Sequence, residues 1–389
     1  MVDFRRVFSN NSALLQAQLI VVVCGVFSQF ILSNNMRISS YGLLILIIDL
    51  CLTFSIIIDF GLPTWGLRNW DGREKSAISQ MVRVVRIQTQ IAMFLIPLSI
   101  LFSFIFLGKS DIINTMIIMI SVSFITISEP LRVGLRMIGR ADLEAISRSL
   151  ERVLVTFSYW AIAKIGQLNI GTASLALLLS SALTWLLAVL LTGIILRENK
   201  SGRSIYNLLL RKEETGDLGN FEVMKKSFPF AVAIAAYPLL GRVDKILLGA
   251  FHEYELVSVY NAAWVVLLTG FIVPNVLRQS VSPLLAQAEN VGEIRDNIAG
   301  CRVISYPLIS VGIPGSIIIS EAILGAIFPD EYFVERGFPD IVGTKLFTLL
   351  LPAWVWAMLA SGTLESLKYH PNSWALAFVI GSSILVNFS

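Results

Sequence analysis

Among the ionisable residues inside long apolar stretches of this 389-residue chain, Asp49, Asp59, Arg242, Asp244 and Lys245 could carry chemistry. A charge in hydrocarbon is costly, so such a residue pairs with another group, faces a polar cavity or snorkels to an interface. Arg242 and Lys245 stand three apart and share one helix face, whereas Asp244 stands two from Arg242 and points elsewhere. Two cations on one face suit an anion, and the guanidinium fork fits phosphate oxygens. They equally suit an ion pair with an acid on another helix, Asp49 above all. Both arrangements put the residues at a central cleft.

Depth separates the acids. A helix running inward from Tyr41 places Asp49 roughly 12 Å into the membrane at 1.5 Å per residue, and Asp59 near the inner boundary. Beside Gly61 and Pro63, Asp59 either ends a helix or faces a cavity. Glu129, before Pro130, and Glu321 read as interfacial residues.

Other chemistry is excluded by what the chain lacks. His252 and His370 are the only histidines, which rules out a histidine-rich metal site or proton relay. Cys24, Cys51 and Cys301 lie far apart in or beside apolar runs and read as packing residues. No phosphate-binding loop, zinc-protease helix or nucleophile elbow occurs, so neither an enzyme nor ATP-driven transport is indicated, and no cofactor is expected. A net charge of +3 gives no reason to expect a nucleic-acid partner.

The elements that must hold these residues are membrane helices. With 55% hydrophobic residues and a mean hydropathy of +0.74, the chain lies outside the soluble range. An all-α polytopic protein follows, with about eleven spans of near-bilayer length. They run Ala13 to Leu32, Tyr41 to Leu67, Ile87 to Leu107, Ile112 to Leu131, Val153 to Gly166 and Gly171 to Leu196. The second set runs Phe228 to Phe251, Val257 to Leu277, Val303 to Phe328, Ile341 to Leu364 and Trp374 to Phe388. Arg5 and Arg6 precede the first run as in a signal peptide, but that run is long enough to span. Most of the 30 basic residues fall on one side of this arrangement, which fixes the N-terminus in the cytoplasm. The outside loops are short and leave no room for a catalytic domain of the kind a membrane polysaccharide polymerase or ligase needs.

The polar stretch 201–226 divides the chain into a six-helix lobe, 1–200, and a second lobe, 227–389. Tyr41 and Tyr260 begin corresponding spans, and Pro63 and Pro283 end them, each pair about 220 residues apart, as in a parallel duplication. Carrying that offset forward from Gly171 passes the last residue, so the second lobe is expected to lack its final helix.

Two stretches carry a family resemblance. One runs from Ser40-Tyr41-Gly42 through Ile58-Asp59-Phe60-Gly61-Leu62 to Arg68. The other is Gly241-Arg242-Val243-Asp244-Lys245-Ile246-Leu247-Leu248-Gly249 followed by Val259-Tyr260-Asn261-Ala262-Ala263. Together they resemble Wzx-type polysaccharide flippases of the multidrug/oligosaccharidyl-lipid/polysaccharide (MOP) exporter superfamily. The resemblance implies a multi-pass plasma-membrane transporter that moves lipid-linked oligosaccharide outward by alternating access, with membrane lipid and other polysaccharide-assembly membrane proteins as partners. A lipid II-type flippase or a MATE-like exporter of small cations would use the same architecture.

Overall fold

The computed structural model describes residues 4–70, 74–107, 111–198, 219–251, 253–270, 325–329 and 332. Among them nine helices follow one another: α1 (Phe4–Asn35), α2 (Ile38–Asp59), α3 (Leu62–Arg68), α4 (Glu74–Leu107), α5 (Ile112–Met137), α6 (Ala141–Lys164), α7 (Ile170–Glu198), α8 (Asn220–Ala250) and α9 (Tyr254–Gly270). The described residues hold no strand, as expected where lipid offers backbone groups no partner. The later spans, most of the interlobe stretch and the expected missing helix lie outside the described residues.

Among the described residues, five stretches are long and apolar enough to cross a membrane: Gln16–Asn35, Ile38–Arg68, Ala77–Ile105, Ile112–Met137 and Ile170–Ile195. The other long helices are more polar or shorter. Arg148, Glu151 and Arg152 interrupt α6, Arg242, Asp244 and Lys245 interrupt α8, and α9 has 17 residues.

α2 is apolar on nearly every face, as suits a helix surrounded by lipid or by other helices. It packs against α4, α5, α8 and α9. Tyr41, Leu44, Leu46, Ile47 and Ile58 are completely enclosed. Two glycines allow the close approach of the segments that follow the polar stretch. A Cβ on Gly42 would overlap the Tyr254 carbonyl oxygen, and one on Gly249 would overlap the Leu46 side chain.

The second span, expected as one piece from Tyr41 to Leu67, is broken near its C-terminal end. Phe60 and Gly61 both take the left-handed conformation, with φ of 47° and 65°, and Pro63 sits in the first turn of α3. A proline there loses no helical hydrogen bond, so the helix restarts in a new direction. The Asp59 carboxylate accepts the Gly61 N–H at 3.2 Å and closes the turn.

α6 starts earlier than the expected Val153. Its exposed face carries Ile146, Leu150, Val153, Phe157 and Trp160, then Ile165 just past its end. At 1.5 Å per residue this stripe is roughly 28 Å long, close to the bilayer core. On α7 the stripe Leu175, Leu179, Leu183, Leu186, Leu190 and Ile194 has the same length. Both exposed faces suit lipid over that length, although α6 carries Arg148, Glu151 and Arg152 along it.

Candidate functional site

The site starts from the buried Asp49 carboxylate on α2, which is 7% exposed. Lys245 of α8 reaches it with Nζ at 2.5 Å from Oδ2, and Arg242, one turn earlier, stands with Nε at 3.7 Å from Oδ1. The lysine contact is an ion pair without the alignment of a hydrogen bond, since Oδ2 has no hydrogen-bond partner among the described residues. The ion-pair arrangement is therefore the one realised, and the shared face of Arg242 and Lys245 is what lets both meet a single acid.

The two cations are not equally satisfied. Lys245 is 3% exposed and donates a further hydrogen bond to Asn261 Oδ1 at 3.1 Å. Asn261 in turn donates to the Tyr41 hydroxyl at 2.9 Å, and Tyr41 donates to Gln29 Oε1. This polar chain joins α1, α2, α8 and α9. Arg242 is held more loosely: its Nη1 donates to the Leu52 carbonyl at 3.1 Å, and 21% of its side chain is exposed.

Asp244 lies away from this cluster, as its position two residues from Arg242 requires. It accepts a 2.6 Å hydrogen bond from the Tyr260 hydroxyl of α9. Asp59, ten residues beyond Asp49 along α2, is likewise apart, at the break described above. The structure thus brings together Asp49, Arg242 and Lys245, and leaves Asp244 and Asp59 in separate surroundings.

Residues not singled out as polar partners complete the cluster. In the sequence Tyr41 and Asn261 stand within the repeat and family-resemblance stretches, with no sign of a polar role, and Gln29 stands in neither. The end of α2 near Ile38 is closed by further contacts. Ser258 donates to the Ile38 carbonyl at 2.6 Å, and Tyr332 meets the Tyr41 ring edge-on at 6.1 Å between centroids. Asn34 and Ser33 donate to the Ile327 carbonyl at 3.0 and 3.3 Å. Near the other end of α2, at Asp59, the contacts are apolar: Leu62, Trp65, Val84, Ile87, Val223 and Phe230 form one cluster, and Phe60 packs against Phe228.

A second ionic group joins α5 to α6. Arg132 meets Glu151 at 2.5 Å and donates to the Ser147 hydroxyl at 3.2 Å. Arg148 meets Glu129 at 2.7 Å and Glu144 at 3.1 Å, and Arg136 meets Glu144 at 3.3 Å. Three arginines and three glutamates thus balance. Glu129 is a member of this network and not merely an interfacial residue. The spacing of the α6 apolar stripe is the signal that would have revealed it. Nearby, outside the span, the hydrogen bond from Arg140 holds the Asp142 carboxyl below the ordinary carboxylate range.

No family model and no curated protein matches the sequence. Solved structures do resemble this one. An outward-facing multidrug resistance MATE family transporter of the MOP superfamily is 13% identical, with 96% of this chain and 84% of that chain covered and a TM-score of 0.67. A MATE in complex with MaL6 is 13% identical, with 99% and 89% covered and a TM-score of 0.68. A MOP superfamily transporter from Pyrococcus furiosus, characterised by a binding pocket of reverse polarity, is 12% identical, with 98% and 88% covered and a TM-score of 0.65. At such identities the likeness is one of fold, and the chain has the polytopic all-helical fold of MATE and MOP-superfamily transporters.

Proposed function

We propose that the chain is a plasma-membrane transporter, not an enzyme, that turns a lipid-linked oligosaccharide across the bilayer by alternating access. The observation that carries this reading is the unequal sharing of Asp49. Lys245 is satisfied by the carboxylate and Asn261, while Arg242 keeps a partly exposed guanidinium beside the same acid. A cationic group of this kind, within a membrane and at the contact of segments on either side of the polar stretch, suits a pyrophosphate joining sugar to lipid. The lipid tail would stay in the bilayer while the two lobes, 1–200 and 227–389, rock about α2. The resemblance of the Tyr41 and Arg242 stretches to Wzx-type flippases supports the same cargo. The N-terminus is cytoplasmic in this reading, and other polysaccharide-assembly membrane proteins are natural partners.

Asp244 and Asp59 take separate parts. Asp244, bound to Tyr260 on the second-lobe side, and Asp59, at the break between α2 and α3, sit where changes in lobe contact would alter their surroundings.

A second reading, an exporter of small cations, is supported by the likeness to MATE structures. Asp49 would then be the substrate's partner. The pocket polarity reported for the Pyrococcus furiosus transporter makes charge the useful discriminator. The test reconstitutes the full chain in proteoliposomes and follows a fluorescent lipid-pyrophosphate oligosaccharide and an organic dye cation in parallel. Movement of the lipid, abolished in Arg242→Ala, is the expected result. Movement of the dye alone would establish the exporter reading in its place.

A further inference from the structure

Asp49 is shared by two cations and can neutralise only one. Lys245 holds it at 2.5 Å and is otherwise satisfied by Asn261, so the surplus positive charge falls on Arg242. Arg242 sits 3.7 Å from the carboxylate, too far for a charge-assisted hydrogen bond, and its one hydrogen bond among the described residues goes to a neutral carbonyl. An arginine enclosed in this way gains more from a bidentate anion than from a distant, shared carboxylate.

We infer that Asp49 is a resident counter-ion, standing in the empty protein where the substrate's phosphate group will act, so that loading the site releases Arg242 from Asp49 and leaves the acid to Lys245. The inference rests on the anionic cargo proposed above. It divides the work of two neighbouring cations. Lys245 is the permanent partner that holds Asp49 and keeps α8 fixed to α2, and Arg242 is the residue that changes partner. It also sets specificity: the incoming group must carry enough negative charge to outcompete a carboxylate already in place, which favours a pyrophosphate over a singly charged headgroup.

The test measures binding of polyprenyl pyrophosphate, and separately of inorganic pyrophosphate, to the full chain in lipid nanodiscs. Asp49→Asn alone leaves Lys245 without its acid, so the double variant Asp49→Asn with Lys245→Met is run beside it. Removing the competing acid is expected to tighten binding by about tenfold in the double variant, and adding Arg242→Ala to either background to abolish the gain. Tightening with both probes assigns the phosphate group itself as the ligand, and tightening with the lipid probe alone assigns the lipid-bound form. If the wild-type chain binds and flips the lipid but the double variant binds no tighter, the counter-ion inference falls while the proposed function stands. If no variant binds either probe, both fall.

Discussion

The ammonium of Lys245 on α8 lies 2.5 Å from the carboxylate of Asp49 on α2, joining the segments on either side of the polar stretch within the membrane. Removing one member of a buried pair leaves the other charged and unmatched, which costs more than the pair itself contributes. Asp49→Ala is therefore expected to lower stability by roughly 3–5 kcal/mol, whereas Asp49→Ala combined with Lys245→Met should recover most of the loss. Thermal unfolding in detergent compares the two. Equal losses would mean that the pair is not a unit.

Close helix approach makes a second prediction. Because a Cβ on Gly42 would overlap the Tyr254 carbonyl oxygen, Gly42→Ala must force α2 and α9 apart and is expected to cost at least about 1–3 kcal/mol. Gly25 has open space around its missing side chain. Gly25→Ala should be neutral or slightly stabilising, by up to about 1 kcal/mol from helix propensity. A fluorescent thermal-shift assay separates them in one experiment.

Proximity of α2 to α8 is testable without energetics. Gly249 faces Leu46 directly, so Leu46→Cys with Gly249→Cys, in a chain with Cys24, Cys51 and Cys301 replaced by serine, should cross-link under mild oxidation. Transport should fall as the cross-linked fraction rises and return on reduction. A moved pair, Leu46→Cys with Leu247→Cys, should cross-link more slowly, since Leu247 is exposed on another face.

The α5–α6 network separates buried from exposed ion pairs. Glu151→Gln leaves Arg132, 3% exposed, facing a neutral amide and should cost several kcal/mol, on the order of 3. Asp142→Asn breaks a pair whose partners are 42% and 50% exposed and should cost at most about 1 kcal/mol. The depressed Asp142 carboxyl makes its small contribution above the unfolded value near about 3.9 and loses it as pH falls through the lower folded value. Unfolding midpoints of the two variants at neutral and acid pH check both statements.

The sequence made the membrane class, the order of the helices and the shared face of Arg242 and Lys245 opposite Asp49 legible, because hydropathy length and a three-residue helical spacing are local signals. It did not resolve whether the two cations met an anion or an acid, since the i, i+3 spacing serves both. Gln29, Tyr41 and Asn261 escaped as polar partners because a neutral side chain in a span signals nothing until another helix is brought to it. The break at Phe60–Gly61 was partly visible in Gly61 and Pro63, yet the apolar run continues through it to Leu67 and hides it from any count of hydrophobic length. Placing the span start at Val153 leaves the first turns of α6 out, because hydropathy length weighs a helix by its composition. The apolar residues of α6 recur along one face and its charges along another.

That division of α6 also bears on how the protein enters the bilayer. Within the network α5 contributes Glu129, Arg132 and Arg136, and α6 contributes Glu144, Arg148 and Glu151, so α5 brings a net positive charge to it and α6 a net negative one. Released singly from the insertion machinery into lipid, either would expose charges that only the other can match. Linked by the short turn at Ile138–Arg140, the two can leave as a hairpin with charges already joined, which makes the biosynthetic unit of this region two helices and not one.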